Sequence, residues 1–158
     1  MRSLVLNLLV AVIWLLLQAQ PSLSDFIVGF ALGFGLLALF QPVLDSRHYV
    51  RRVLAALAFT GVFAWEFVRS CTHLIRLILF RRSDELNPAF IIYDVSGLTH
   101  FEVLVLSQCV SLTPGTNTGD ISHDFSRLYL HVLDCNDPAA ERESIDNTLR
   151  RGLLAFTR

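Results

Sequence analysis

The chain has 158 residues, 53% of them apolar, and a net charge of −1, which is too apolar for an ordinary soluble domain. The small net charge hides a division: through Arg82, eight Arg face Asp25, Asp45 and Glu66 for a balance of +5, and from Ser83 onward five Arg face eleven acidic residues for −6. A basic, apolar front suits an anionic lipid surface, while the acidic back half excludes the clustered basic face of a nucleic-acid binder. All thirteen basic residues are Arg, a mark of base composition rather than of mechanism. Cys71, Cys109 and Cys135 are odd in number and far apart. They suggest neither a disulfide framework nor a zinc site, and are expected to serve as small apolar side chains. No cofactor or metal is implied.

The first predicted segment runs from about Leu4 to Leu17, interrupted by Asn7. Even residues 3–19 cover only about 25 Å as a helix, short of the roughly 30 Å hydrocarbon core. Gln18, Ala19, Gln20 and Pro21 make a poor cleavage site and a second apolar segment follows at once, so this front is read as a retained anchor, not a signal peptide. The second segment, Asp25 to Gln41, is about as long. Pro21 suits the reversal between the two, Ser24 or Asp25 suits a helix cap, and Pro42 is expected to close the second helix. Residues 1–42 thus predict a two-helix transmembrane hairpin with some local bilayer thinning. Gly29, Gly33 and Gly35 lie in its second helix. The Gly29/Gly33 pair permits close helix approach in lipid, either within the hairpin or to another membrane subunit. Trp14 fits an interfacial anchor, and no ionisable residue within either segment core marks an ion pathway.

Residues 43–82 predict a long amphipathic helix. Val53 to Phe80 is about 42 Å if helical, apolar through Trp65. Glu66, Arg69, Ser70, His73 and Arg76 then recur at spacings that share one face. Phe67, Leu74, Ile75, Ile78 and Leu79 are expected opposite. With Arg51 and Arg52 before it and Arg81 and Arg82 after it, the helix is better suited to lie along the interface than to span; a third span, with Glu66, Arg69 and His73 facing protein, is the rival. Arg47, Arg51 and Arg52 in the 42–52 connection, against no positive charge in the 18–25 turn, put the turn outside and that connection in the cytoplasm. The stripe Glu66, Arg69, His73, Arg76 is read as headgroup-facing with local ion pairs; a proton relay is the alternative.

Residues 83–158 predict a small α+β cytoplasmic domain in the order β-α-β-β-α. A charged hinge, Arg81 to Glu85, leads to Asn87 and Pro88. Ala89 to Val95 reads as a strand and Gly97 to Ser111 as a helix. Thr113-Pro114-Gly115-Thr116 reads as a turn, and strands Thr116–Ile121 and Arg127–Leu133 as a hairpin around Ser122–Ser126. A last helix runs from Pro138 to about Phe156. So small a core is marginal alone and is expected to lean on the membrane helices or on a neighbour. His123, Asp124, His131 and Asp134 are the acid–base candidates, each with an ordinary surface explanation. With no phosphate loop, nucleophile elbow or metal spacing, an enzyme is not the reading.

The block Ser111-Leu112-Thr113-Pro114-Gly115-Thr116, followed by Leu128-Tyr129-Leu130-His131-Val132-Leu133-Asp134 behind a membrane hairpin, resembles the E-type subunits of the multisubunit monovalent-cation/proton antiporters of the Mrp type, also called Mnh or Pha. The resemblance covers nearly the whole chain. It implies an accessory, assembly or stabilising subunit of a Na⁺ (K⁺, Li⁺)/H⁺ antiporter in the bacterial cell membrane. Its partners would be the other hydrophobic subunits and the bilayer. Asn117 and Gly119 depart from the apolar residues usual after the first block, which implies a shortened strand or a bulge. A free-standing membrane-tethered binding or regulatory module is the alternative function.

Overall fold

The structure, a computed structural model, describes residues 2–82 and 85–158; Ser83 and Asp84 of the expected hinge lie outside the described residues. The chain divides into two compact units, Met1–Leu54 and Ala55–Arg158.

The first unit contains α1 (Arg2–Leu16), α2 (Leu23–Leu39), a short α3 (Gln41–Leu44) and the first turns of α4 (Arg47–Phe80). Helix α2 begins at a capping box. The Asp25 amide donates to the Ser22 hydroxyl at 3.3 Å, and the Ser22 amide donates to the Asp25 carboxylate at 3.0 Å. The cap is therefore Ser22, with Asp25 in the third helical position, rather than Ser24 or Asp25; the reciprocal pair satisfies two backbone donors at once. Pro42 does not close α2. The helix ends at Leu39, and Pro42 sits in the first turn of α3, where its missing amide costs nothing. Asp45, at φ 48°, ends α3 in the left-handed region. Most of the expected 42–52 connection is helical, since α4 starts at Arg47 and carries Arg47, Arg51 and Arg52.

The second unit is an α+β domain on which the rest of α4 packs. Strands β1 (Ala89–Asp94), β2 (Thr116–Ile121) and β3 (Arg127–Val132) form one antiparallel sheet in the order β1-β3-β2. In β1–β3, Ile91 faces Leu130 and Tyr93 faces Leu128. The β2–β3 register slips between Thr118 and Asp120, so Gly119 forms a bulge. Helix α5 (His100–Leu112) lies between β1 and β2 in the chain. The last helix is α6 (Pro138–Ile145), a π-helical turn over Asp146–Arg150, and α7 (Arg151–Thr157), not one uninterrupted α-helix. Side chains from β1, β3, α5 and the last helix close a core that includes Tyr93, Leu106, Leu128, Leu130 and Leu153.

Phe59 and Phe63 of α4 pack against that core. The Phe59 ring lies 5.5 Å from Phe156, beside Gly152, where an added Cβ would come within 2.7 Å of the ring. The small core thus leans on the chain's own long helix. The other face of the sheet stays open, with Phe90 77% exposed.

Candidate functional site

Two glycines build the hairpin. Gly29 and Gly33 are buried against α1. A Cβ at Gly29 would meet Trp14 Cβ at 2.8 Å and Ala11 Cα at 3.0 Å. One at Gly33 would run into Asn7 Oδ1, with Val10 Cβ at 3.2 Å. Gly35 is exposed, with nothing within 4 Å of an added Cβ. The small-residue pair therefore serves the contact between α1 and α2 within the chain, and Gly35 is the member left open.

Asn7, fully buried within α1, has a role its sequence context did not reveal. Its Nδ2 donates to the Tyr49 hydroxyl at 2.9 Å, and Tyr49 packs edge-on to Phe34 with ring centroids 6.1 Å apart. Ser46 donates to the Leu37 carbonyl at 2.6 Å. These bonds tie α1, α2 and the start of α4 together in a largely apolar unit, where a polar group without a partner is costly; Asn7 Oδ1 and Trp14 Nε1 stay buried without one.

The signature turn is built for shape. Thr113 and Thr116 hydroxyls donate to the carbonyls of Cys109 and Val110, at 2.9 and 2.6 Å. The Thr116 amide closes the turn onto Thr113 O at 3.1 Å. Gly115 at φ +94° occupies the position that admits glycine in a Pro-Gly turn of type II. The Leu133 amide bonds to Gly115 O at 2.9 Å, joining the first signature block to the second. The Thr118 amide bonds to the Ser111 hydroxyl at 3.0 Å, fastening β2 to α5.

The polar stripe and the signature turn, separate in sequence, meet in one groove of about 470 Å³ within the second unit. Its walls include Glu66, Arg69, His73 and Arg76 of α4, Thr113 to Thr116, and Asp134, Glu141 and Ser144. Leu74, expected opposite the stripe, lines the groove too. The stripe faces protein along part of its length, because α4 turns that side towards the domain. Glu66 pairs with Arg69 at 3.4 Å, and Arg81 with Asp134 at 2.8 Å. Burial raises the Glu141 carboxyl above its ordinary range, against the pull of His73 and Arg69. Glu141 was not singled out from sequence, since a lone Glu in the first turn of a helix reads as a capping charge.

The acid–base candidates are not brought together for chemistry. Asp124 accepts from the Ser126 hydroxyl at 2.8 Å and organises the hairpin turn. Hydrogen bonds from Ser122 first and then Ser126 hold its carboxyl down to about 2. His131 packs edge-on to Phe90 at 4.9 Å, Asp134 holds Arg81, and His123 is exposed. Among the described residues, no three His, Cys, Asp or Glu side chains are grouped to hold a metal.

A second buried polar cluster fastens the C-terminus. Glu102, 2% exposed, accepts from the Thr99 amide at 2.7 Å, from the Thr157 hydroxyl at 2.6 Å and from Arg158 at 3.4 Å. The Thr157 bond, foremost, and those from Thr99 and Arg158 outweigh burial and hold its carboxyl down at about 2. The Thr99-x-x-Glu102 spacing is a capping-box signature legible in sequence; its link to Thr157 is not.

Apolar helices that leave much of their aliphatic surface uncovered, followed by a small α+β domain, define a membrane protein. A family model described as Na⁺/H⁺ ion antiporter subunit matches residues 7–156, and the chain belongs to that family. It is 31% identical over 147 residues to the Na⁺/H⁺ antiporter E1 subunit of Staphylococcus epidermidis, covering 93% of this chain and 92% of that one. The E1 subunit of Staphylococcus haemolyticus is 29% identical over 149 residues, covering 94% and 93%. Among solved structures, a chain of the membrane-bound sulfane sulfur reductase, an archaeal respiratory membrane complex, superposes over 96% of both chains with a TM-score of 0.57 and 22% identity. A chain of the Mrp complex from a Dietzia species matches 65% of this chain and 96% of its own length, with a TM-score of 0.50 and 23% identity. The fold is shared with both.

Proposed function

We propose that this chain is an accessory, assembly-stabilising subunit of a multisubunit Na⁺ (K⁺, Li⁺)/H⁺ antiporter in the cell membrane, and not itself an enzyme. The observation that carries the reading is the uncovered apolar surface of the hairpin. Once Asn7, Ala11, Gly29 and Gly33 have met, Val5, Leu9, Leu16, Ile27 and Leu39 remain 53% to 75% exposed. Such a surface belongs against lipid or other apolar helices. Gly35 is the position in α2 where a second helix can approach.

For the topology, α1 and α2 span as a hairpin (residues 1–42), the helix within 43–82 lies along the cytoplasmic interface, and the domain of residues 83–158 is cytoplasmic. Among the described residues, α4 is the one helix long and apolar enough to cross a bilayer. Its side bearing Phe59, Phe63, Leu77 and Arg81 is nevertheless engaged by the α+β domain. A span through that stretch would draw the domain into hydrocarbon. The opposite side presents Leu57, Trp65, Val68, Ile75 and Leu79, all more than half exposed, as an interfacial helix requires.

The test is a mild-detergent purification of the C-terminally tagged chain, expressed with its native gene neighbourhood, followed by mass analysis. Stoichiometric recovery of several large hydrophobic subunits is expected. A stable, solitary chain would reject the role and favour a free-standing membrane-tethered module. Gly35→Leu should lower complex yield without destabilising the hairpin; unchanged yield removes Gly35 from the docking surface.

A further inference from the structure

We propose that the groove between α4 and the signature turn seats a polypeptide segment of a partner subunit, one that presents an acidic and a basic side chain on either side of an apolar anchor. The inference rests on the subunit role proposed above and names the chemistry of its contact.

The charges of the groove divide into those already neutralised and those left over. Glu66–Arg69 and Arg81–Asp134 are paired. Among the described residues, His73, Arg76 and Glu141 line the groove without an ion-pair partner. The leftover set therefore has both signs. A site for a phosphate or an anionic headgroup gathers one sign. Unpaired charges of both signs, rimming an apolar floor, are the anatomy of a protein contact, in which the rim sets register and rejects wrong partners. The floor is apolar, formed by Leu74, Leu77, Val132, Ile145 and Leu149.

The signature turn supports the same occupant. Its hydroxyl protons and the Gly115 carbonyl are engaged internally, so the turn's side chains offer the groove a fixed apolar wall at Pro114 rather than free donors. Specificity then falls to the charges facing it. Glu141 is half-buried, and His73 and Arg69 pull on it only from beyond ion-pair distance and do not offset its burial, so its carboxylate is left under-compensated. A partner Arg or Lys relieves that strain, and a partner Asp or Glu meets Arg76 and His73. At about 470 Å³ the groove accommodates a few side chains, so it acts as the anchor of a larger contact rather than as the whole interface.

A photo-crosslinking amino acid at Ser144, in the full chain expressed with its native gene neighbourhood, tests this. Irradiation is expected to give one adduct, identified by mass as a co-encoded subunit. Combining Arg76→Glu with Glu141→Lys should cut the adduct about tenfold, the equivalent of about 1.4 kcal/mol of lost pairing. The near-isosteric Glu141→Gln, which preserves the fold, should cut it about twofold. An adduct to lipid alone, no adduct from an assembled complex, or an adduct indifferent to both variants overturns the inference while leaving the subunit role standing. A wild-type chain recovered alone fails the subunit role, and this inference with it.

Discussion

Gly29→Ala tests the packing of the hairpin most directly. The added methyl would sit 2.8 Å from Trp14 Cβ, 3.0 Å from Trp14 Cδ1 and 3.0 Å from Ala11 Cα. Carbon pairs attract best at about 3.5–4.0 Å, so α2 must retreat from α1 by roughly 0.5–1 Å. Because Ala11 Cα is backbone, no change of rotamer relieves that contact. Overpacking of this kind costs about 1–3 kcal/mol, and the better helix propensity of Ala returns about 1 kcal/mol. The net expectation is a loss of up to about 2 kcal/mol. Gly35→Ala is the internal control. Nothing lies within 4 Å of its added Cβ, so only the propensity gain of about 0.5–1 kcal/mol remains. The same chemical change at two glycines of one helix should therefore move stability in opposite directions. The assay heats mild-detergent extracts of the tagged full chain and measures the soluble fraction by immunoblot. Gly29→Ala should lower the midpoint by up to about 8 °C. A Gly29→Ala midpoint at or above that of Gly35→Ala would refute the packing.

Four further expectations can be checked separately. Tyr49→Phe removes the hydrogen bond from Asn7 and should cost about 1 kcal/mol, seen as a lower midpoint in the same heating assay; an unchanged midpoint removes Asn7 from the account. Glu102 is held at about 2 against an ordinary 4.5, so its stabilisation is complete above about pH 4.5 and fades as pH falls towards 2, by about 3 kcal/mol at most. Hydrogen exchange of α7 should accelerate over that interval, and Glu102→Gln should accelerate it at pH 7; exchange that ignores both contradicts the clamp. Asp134→Ala leaves Arg81 without its 2.8 Å partner and should speed tryptic cleavage in the 81–88 connector at a cost of about 1–3 kcal/mol; unchanged cleavage kinetics would show the pair to be incidental. Glu66→Gln should leave cation-dependent proton flux nearly intact in vesicles, since Glu66 forms a local pair with Arg69 worth about 0.5 kcal/mol. A large loss of flux at normal complex levels would restore the proton-relay reading.

Local chemistry was legible in the residues alone. Strand β2 over Thr116–Ile121, the start of the last helix at Pro138 and the Pro114-Gly115 turn follow from strand patterning or from the backbone preferences of single residues, and of the two outcomes left open at Gly119, a shortened strand or a bulge, the bulge is the one found. So did the order β-α-β-β-α and the two signature blocks. The misreadings are local as well: Ser22 escapes notice as the cap because its partner Asp25 is itself a plausible cap, and Pro42 reads as a stop although it fits the first turn of a new helix equally well.

The sequence by itself thus determined the apolar and acidic halves, most of the elements, and the family. Tertiary structure decided which faces meet. It alone set Asn7 over Gly33 and against Tyr49, tied Glu102 to Thr157 across the domain, and turned the polar stripe of α4 towards Thr113–Thr116. The physical reason is that periodicity specifies a face without naming its partner. Partners are chosen by close packing and by the cost of leaving a buried polar group unpaired, and both depend on residues far apart in the chain.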